Sequence, residues 1–280
     1  MGSLQRQLRE LKIRPKKRLG QHFVTDSRVL RRVVEVASLE EEDIILEIGA
    51  GLGSLTAPLA QRARKVYALE LDPVLAAALR EQFCGNDHVE IILADGLHFD
   101  FAPLAWEWKR KMKVVANLPY EISSPMIFRL FKEREHFSLF ILMLQMEVAR
   151  RVVAEPGSKD YGPLSLWTRL YTKARIAFAV APQAFHPQPK VDSAIVRFEI
   201  LQKPSVQLVD ENILRRVIRS AFGYRRKTLI NALRLGAFAH LPLEKIKEAL
   251  QSAGIDPAWR GETLSLEQFS DLSREISLLT

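Results

Sequence analysis

Asn117, Leu118, Pro119 and Tyr120 form a tetrapeptide whose residue types suit chemistry on the exocyclic amino group of a base such as adenine. That nitrogen is a weak nucleophile because its lone pair is delocalised into the ring. The side-chain oxygen of Asn117 and the carbonyl of Leu118 are two acceptors for the two amino hydrogens, which leaves the lone pair directed at an electrophilic carbon. Pro119 fixes the turn, and the ring of Tyr120 offers a flipped-out base a stacking surface. Taken alone, the tetrapeptide is equally compatible with an ordinary turn.

A glycine-rich segment, Gly49-Ala50-Gly51-Leu52-Gly53, follows the apolar run Ile44–Ile48 and precedes a helical pattern. Glycine in such a turn lets the backbone approach a ligand closely. Ser54 stands where a dinucleotide-binding motif has its third glycine, which argues against an oxidoreductase. Glu70 and Asp95 end the next two predicted strands, where carboxylates accept hydrogen bonds from ribose hydroxyls and from an adenine amino group. Helix capping would explain either acid alone, but three strand ends in register predict a nucleoside pocket.

The elements that must position these residues alternate between strand and helix. Short apolar runs predict strands at 44–48, 66–70, 89–93, 114–116 and 139–144. This alternation predicts a parallel sheet with right-handed crossovers in an α/β, Rossmann-like domain. After residue 204 the pattern is helical only, with helices expected at 213–222, 229–233, 243–252 and 266–279. We therefore expect two domains, 1–204 and 205–280, of which the second is small and all-helical.

The formal net charge of +8 is concentrated in two basic runs. One lies within residues 6–32, where only Glu10 and Asp26 oppose it, and the other extends from Arg215 to Arg234 without an acidic residue. Such runs suit a polyphosphate partner such as RNA, although each alone is also compatible with a solvated helix face. Two runs flanking one enzyme core favour nucleic acid.

Cysteine and histidine usage limits the remaining classes. Cys84 is the single cysteine, so no internal disulfide is possible and a reducing compartment is expected. The histidines lack the paired spacing of metal ligands, so no metal is expected. No apolar stretch suits a signal peptide or a membrane span, and we expect a cytoplasmic protein with no membrane partner.

A series of motifs runs almost from end to end of the chain. They are Lys17-Arg18-Leu19-Gly20-Gln21-His22-Phe23, Leu46-Glu47-Ile48-Gly49-Ala50-Gly51-Leu52-Gly53, Asn117-Leu118-Pro119-Tyr120, Tyr161-Gly162-Pro163-Leu164-Ser165, Phe185-His186-Pro187-Gln188-Pro189-Lys190-Val191-Asp192-Ser193 and Arg225-Arg226-Lys227-Thr228-Leu229. In this order they resemble the ribosomal RNA small-subunit adenine dimethyltransferase family, the KsgA type. Several of them are specific to that family and not to methyltransferases in general.

The resemblance implies a class I methyltransferase domain that transfers two methyl groups to the N6 atoms of each of two adjacent adenosines near the 3′ end of small-subunit rRNA. The activity belongs to rRNA processing in ribosome biogenesis, with S-adenosyl-L-methionine as the donor. The implied donor-binding residues are His22, Val24, Gly49, Gly51, Glu70, Asp95 and Asn117. The implied catalytic residues are Asn117, Leu118, Tyr120 and Phe185, the last closing the far side of the target pocket. The helical domain would recognise the RNA of the assembling small subunit, and the protein would act as a monomer.

Three positions depart from the family pattern. The family usually has Asn where His22 stands, so the donor contact there is expected to run through the backbone or to differ in strength. Ala50 replaces the more usual Pro, which should loosen the glycine loop slightly. Met146 replaces a Lys, so one cation for RNA is lost.

Two other functions remain open from the residues. One is the related methylation of large-subunit rRNA that confers macrolide resistance, and the motifs around Phe185 and Arg225 favour the small-subunit type over it. The other is a non-catalytic factor of the same fold in ribosome assembly or transcription, against which the intact Glu70, Asp95 and Asn117 argue.

Overall fold

The structure is a computed structural model that describes residues 15–16 and 20–279. The chain divides into two compact units. The first holds the described residues of Met1–Ala149 together with Ala174–Ile200, and the second holds Arg150–Lys173 with the described residues of Leu201–Thr280. Most of the predicted N-terminal basic run, including Lys17-Arg18-Leu19 of the first motif, lies outside the described residues.

The strands of the chain include every one that the sequence predicts. They are β1 (Phe23–Val24), β2 (Ile44–Ile48), β3 (Lys65–Glu70), β4 (Val89–Leu93), β5 (Met112–Asn117), β6 (Phe137–Gln145), β7 (Thr172–Val180), β8 (Phe185–His186) and β9 (Ser193–Ile200). The main sheet has the order β4-β3-β2-β5-β6-β9-β7, and β1 pairs with β8 apart from it. Parallel pairs join β4 to β3, β3 to β2, β2 to β5 and β5 to β6, so that these five strands end at one edge of the sheet.

The prediction of a parallel sheet is correct for these five strands and wrong for the sheet as a whole. Strand β9 runs antiparallel to β6, with Leu139 opposite Glu199 and Gln145 opposite Ser193. The sequence pattern missed β7 and β9 because neither forms an uninterrupted apolar run. In β7, buried positions alternate irregularly with exposed ones such as Lys173, as expected for a strand at the end of the sheet order.

Helices connect the strands of the first unit. They are α1 (Ser27–Ala37), α2 (Thr56–Ala60), α3 (Pro73–Gln82), α4 (Ala102–Trp108) and α5 (Ser123–Lys132). Helix α3 begins at Pro73, because the Asp72 side chain accepts a hydrogen bond from the Val74 amide at 3.0 Å and proline suits the first helical position. Since all five residues of β2 are buried, this strand lies in the core of the unit.

The second unit contains the predicted helices. After α6 (Met146–Val152) the chain forms α7 (Pro163–Tyr171), α8 (Glu211–Gly223), α9 (Leu229–Leu235), α10 (Leu243–Ser252) and α11 (Leu266–Ser277). Residues 150–173 belong to this unit, whereas the sequence analysis placed them in the N-terminal domain. One reason is that the Tyr161 hydroxyl, buried in the unit, donates to the Leu264 carbonyl at 2.8 Å. No helix in the described part of the chain is long and apolar enough to cross a membrane.

Candidate active site

The glycine-rich loop turns sharply at the end of β2. Gly49, Gly51 and Gly53 have φ values of +79°, +62° and +76°, a region that residues with a side chain rarely adopt. The amides of Gly49 and Ala50 both donate to the Leu69 carbonyl, at 2.9 and 3.1 Å, and so join the loop to β3. A Cβ at Gly51 would lie 3.0 Å from the ring of Phe23. The loop therefore needs glycine both for its conformation and for its close approach to β1.

Glu70 ends β3 and holds the loop through its carboxylate. One oxygen accepts from the Gly51 amide and the other from the Asp72 amide, both at 2.8 Å. Burial raises the pKa of Glu70 above its ordinary value, and these hydrogen bonds oppose that shift. Each carboxylate oxygen keeps a further acceptor position, so that Glu70 can also bind hydroxyl groups of a ligand.

Asp95 follows β4 and lies at the same edge of the sheet. Its carboxylate accepts from the Leu97 amide at 2.9 Å and lies 2.8 Å from Nδ1 of His98. Partial burial raises the pKa of Asp95, but the hydrogen bonds from Leu97 and His98 outweigh it, so the net shift is downward. Asp95 is therefore an ionised acceptor at neutral pH.

Asn117 ends β5 with a defined amide orientation. Its Nδ2 donates to the His22 carbonyl at 2.8 Å. Because a carbonyl only accepts, this bond identifies the nitrogen of the amide, and Oδ1 is the atom left for another donor. No hydrogen bond from a residue in the described ranges reaches Oδ1 in the structure. Leu118 is buried, while the Pro119 carbonyl accepts from the Ser123 hydroxyl at 3.1 Å and fixes the turn.

Tyr120 begins a short 3-10 helix, Tyr120–Ile122, directly after that turn. Its hydroxyl is 2.8 Å from the Ser193 hydroxyl at the start of β9. The imidazole of His22 stacks on its ring, with 5.4 Å between the ring centroids and 26° between the planes. Burial raises the pKa of the Tyr120 hydroxyl, so it remains neutral at physiological pH.

One pocket in the first unit collects nearly all of the predicted site residues. Those that line it are His22, Val24, Gly49, Gly51, Glu70, Asp95, Asn117, Leu118 and Tyr120. Phe185 is not among the lining residues. It is buried, pairs with Val24 in the β1–β8 ladder, and packs in the same apolar cluster as Val24. Its place at the far side of a target pocket stays a prediction.

Glu47 lines the pocket from the last but one position of β2, and the sequence pattern did not identify it as a site residue. Its side chain is buried, and its one hydrogen bond among the described residues comes from the Thr56 hydroxyl at 2.6 Å. Burial raises the pKa of Glu47 from 4.5 to about 8, and the neighbouring charge of Glu70 adds to the shift. A carboxyl group inside an otherwise apolar strand is a signal that the sequence offers.

Asp72, two residues after Glu70, is not in the pocket lining but binds the segment that enters β1. Its carboxylate is nearly inaccessible and forms an ion pair with Lys16 at 2.6 Å. Gln21, which lines the pocket, donates to the same oxygen at 3.4 Å and accepts from the Lys16 amide at 2.8 Å. The segment that enters β1 is thus attached to the residue beside Glu70. No group of three or more possible metal ligands occurs in the part of the chain that the structure describes.

Comparison with known proteins gives one consistent result. A family model described as "Ribosomal RNA adenine dimethylase" matches residues 13–277. A ribosomal RNA small subunit methyltransferase A from Geobacter metallireducens is 46% identical over 268 residues, covering 95% of this chain and 97% of its own. One of the same name from Clostridium acetobutylicum is 44% identical over 260 residues and covers 93% of each chain.

Two solved structures resemble the chain throughout. A dimethyladenosine transferase from Plasmodium falciparum superposes with a TM-score of 0.80 at 26% identity, covering 91% of this chain and 98% of its own. The 23S rRNA methyltransferase ErmE gives a TM-score of 0.68 at 27% identity and covers 91% and 99%. These comparisons confirm the predicted fold, that of a class I methyltransferase domain followed by helices. The chain belongs to the ribosomal RNA adenine dimethylase family.

Proposed function

We propose that this protein transfers methyl groups from S-adenosylmethionine to the N6 atoms of two adjacent adenosines near the 3′ end of small-subunit rRNA. The observation that carries the proposal is the orientation of Asn117, whose amide nitrogen is held by the His22 carbonyl at 2.8 Å while its oxygen remains available inside the pocket. An acceptor fixed in this way suits an exocyclic amino group, which acts as a hydrogen-bond donor.

The residues of the pocket fit the donor. Glu70 is an acceptor beside the glycine loop for the two ribose hydroxyls, and the ionised Asp95 is an acceptor for the adenine amino group. Gly51 lines the pocket and lets the loop pack directly against the ring of Phe23, which a Cβ would meet at 3.0 Å. His22 and Val24 would close the pocket from the N-terminal side. When bound, S-adenosylmethionine supplies an electrophilic methyl group on a positively charged sulfur.

The tetrapeptide would orient the target amine. Asn117 Oδ1 and the Leu118 carbonyl would accept its two hydrogens and hold the nitrogen lone pair toward the methyl group. Tyr120, fixed by Ser193, would stack on the base. The proton released from the alkylated nitrogen passes to water, so the residues act by positioning and not as a strong base.

The assembling small subunit is the proposed partner, in ribosome biogenesis. The relatives at 46% and 44% identity carry the small-subunit name, while the neighbour named for 23S rRNA is 27% identical. Within the helical unit, the turn between α8 and α9 exposes Tyr224, Arg226 and Lys227, which suit contacts with RNA phosphates and bases.

The test uses labelled donor with small subunits from cells that lack the dimethylase, followed by mass-spectrometric mapping of the modified bases. We expect two dimethylated adjacent adenosines near the 3′ end, and loss of turnover by at least about a hundredfold in Asn117→Ala. Asn86→Ala is the matched control, because Asn86 lies on an exposed turn before β4 and its side chain accepts only from the His88 amide among the described residues. Methylation of large-subunit rRNA, or an active Asn117→Ala enzyme, would overturn the proposal.

A further inference from the structure

His22 is placed by the pairing of β1 with β8. In this ladder Phe23 lies opposite His186 and Val24 opposite Phe185, so the next position back sets His22 beside Pro187. Nδ1 of His22 is 2.6 Å from the Pro187 carbonyl oxygen. Because a carbonyl oxygen only accepts, Nδ1 carries the hydrogen of this bond. The imidazole is therefore anchored at one edge to the chain that follows β8.

The face of the same ring rests on Tyr120. The stacked arrangement, at 5.4 Å and 26°, lies within the range of favourable aromatic pairs. The Tyr120 ring thus has two contacts that fix its plane, the imidazole on its face and Ser193 at its hydroxyl. A base that stacks on Tyr120 requires this plane to be in place before the base arrives, since ordering a loose ring costs binding free energy.

We propose that the imidazole of His22 is a positioning residue for the target base, acting through Tyr120, and is not a contact for the methyl donor. The inference rests on the proposed function and assigns the side chain and the backbone of one residue to different tasks. The backbone carbonyl of His22 accepts from Asn117, and every substitution at position 22 retains this carbonyl. The imidazole ring, by its stacking on Tyr120, belongs to the side of the pocket proposed for RNA.

Two substitutions separate the ring from its hydrogen bond. His22→Asn removes the aromatic surface, and we expect the KM for the rRNA substrate to rise by about three- to tenfold, the range of one aromatic pair. His22→Phe keeps a ring of similar size and loses only the bond to Pro187, so it should return that KM to within about twofold of the parent. The Kd of the donor, measured by calorimetry without RNA, should change by less than about twofold in both variants.

His88→Asn is the matched control. Nδ1 of His88 is likewise 3.0 Å from a backbone carbonyl oxygen, that of Arg64, but His88 precedes β4 at the opposite edge of the sheet from the pocket. It should leave both constants unchanged.

The proposal is overturned if His22→Asn raises the Kd of the donor and leaves the KM for RNA unchanged. That result would assign the ring to the donor. A lower KM for RNA would also overturn it, because the ring would then obstruct the base. If His22→Phe fails to restore the KM while its thermal unfolding matches the parent, stacking is not the cause and the proposal fails. Failure of the proposed function itself looks different, because the parent protein would then neither bind the donor nor methylate rRNA.

Discussion

Glu47 offers the sharpest test of how burial and charge act at this site. Its side chain is 2% exposed, and the Thr56 hydroxyl that donates to it does not offset the loss of water. Burial raises its pKa from 4.5 to about 8. The substitution Glu47→Gln removes the titration while keeping the shape of the side chain and an oxygen that accepts from Thr56. The free energy of unfolding should therefore depend on pH differently in the parent and in the variant.

The sign and size follow from proton linkage. Below pH 4.5 the group is protonated in both the folded and the unfolded state, so it contributes no pH dependence there. Between 4.5 and about 8 the unfolded chain releases the proton while the folded chain retains it, and the parent loses stability as the pH rises. The difference of 3.5 pKa units (8 minus 4.5), at about 1.4 kcal/mol each, sets a maximum of about 5 kcal/mol.

The assay is urea unfolding of parent and variant at about pH 5 and about pH 8. The variant should gain stability over the parent as the pH rises, by as much as a few kcal/mol. Glu41→Gln is the control, because it makes the same substitution at an exposed position just before β2. A constant difference between Glu47→Gln and the parent across this pH range would refute the reasoning.

Four other substitutions test separate contacts. Gly51→Ala should weaken donor binding by at least about tenfold in calorimetry. Its φ of +62° is strained for other residues, and the added Cβ would meet an aromatic ring at 3.0 Å. Unchanged affinity would contradict the role assigned to the loop. Lys16→Met should shift acid unfolding to higher pH. Burial raises the pKa of Asp72, but the hydrogen bond and charge of Lys16, together with hydrogen bonds from Val74 and Gln21, lower it by more. The stability gained from the low pKa is lost as the pH falls, and without Lys16 this loss should begin at a higher pH. An unchanged acid midpoint would show that the ion pair is immaterial. Arg226→Ala should keep the unfolding midpoint and should reduce the slope of the logarithm of RNA affinity against the logarithm of salt concentration by about one unit. Arg225→Ala should instead lower the unfolding midpoint, since Arg225 binds a glutamate of the same unit at 2.6 Å. The opposite pattern would reverse the two roles.

The parallel half of the fold was predictable because its strands are continuous apolar runs with a punctuating residue at the end. Gly49, Glu70 and Asn117 each follow or end such a run, and their side chains or backbone reach the same pocket. Strands β7 and β9 were not predictable in this way, since charged residues interrupt their apolar runs, Lys173 and Arg175 in β7 and Arg197 and Glu199 in β9. The two-residue strands β1 and β8 are too short for any periodicity, and only tertiary pairing defines them.

At the site, too, residue types within one segment were predictable, whereas contacts between distant segments were not. The acceptor chemistry of Asn117 depends on its residue type, so the sequence predicted it. The freedom of its oxygen depends on a bond from its nitrogen to His22, a residue distant in sequence. The ion pair of Lys16 with Asp72 is equally distant and leaves no mark in the local pattern. Phe185 had a recognisable motif, yet the β1–β8 ladder and the apolar cluster place it outside the pocket lining.

The charges of the two units suit the two ligands of the proposed function, a cationic methyl donor and a polyanionic RNA. Asp95 lines the pocket, has a lowered pKa and is ionised at neutral pH, whereas Asp72 lies outside the lining and pairs with Lys16. If the protein binds the donor as proposed, this carboxylate should favour the cationic donor over the neutral thioether that remains after methyl transfer. The exposed cations near Arg226, in the helical unit, would instead attract a polyanion such as RNA. Because this preference would be electrostatic, added salt should reduce the ratio of donor affinity to product affinity, whereas an uncharged pocket would give a ratio that does not depend on salt.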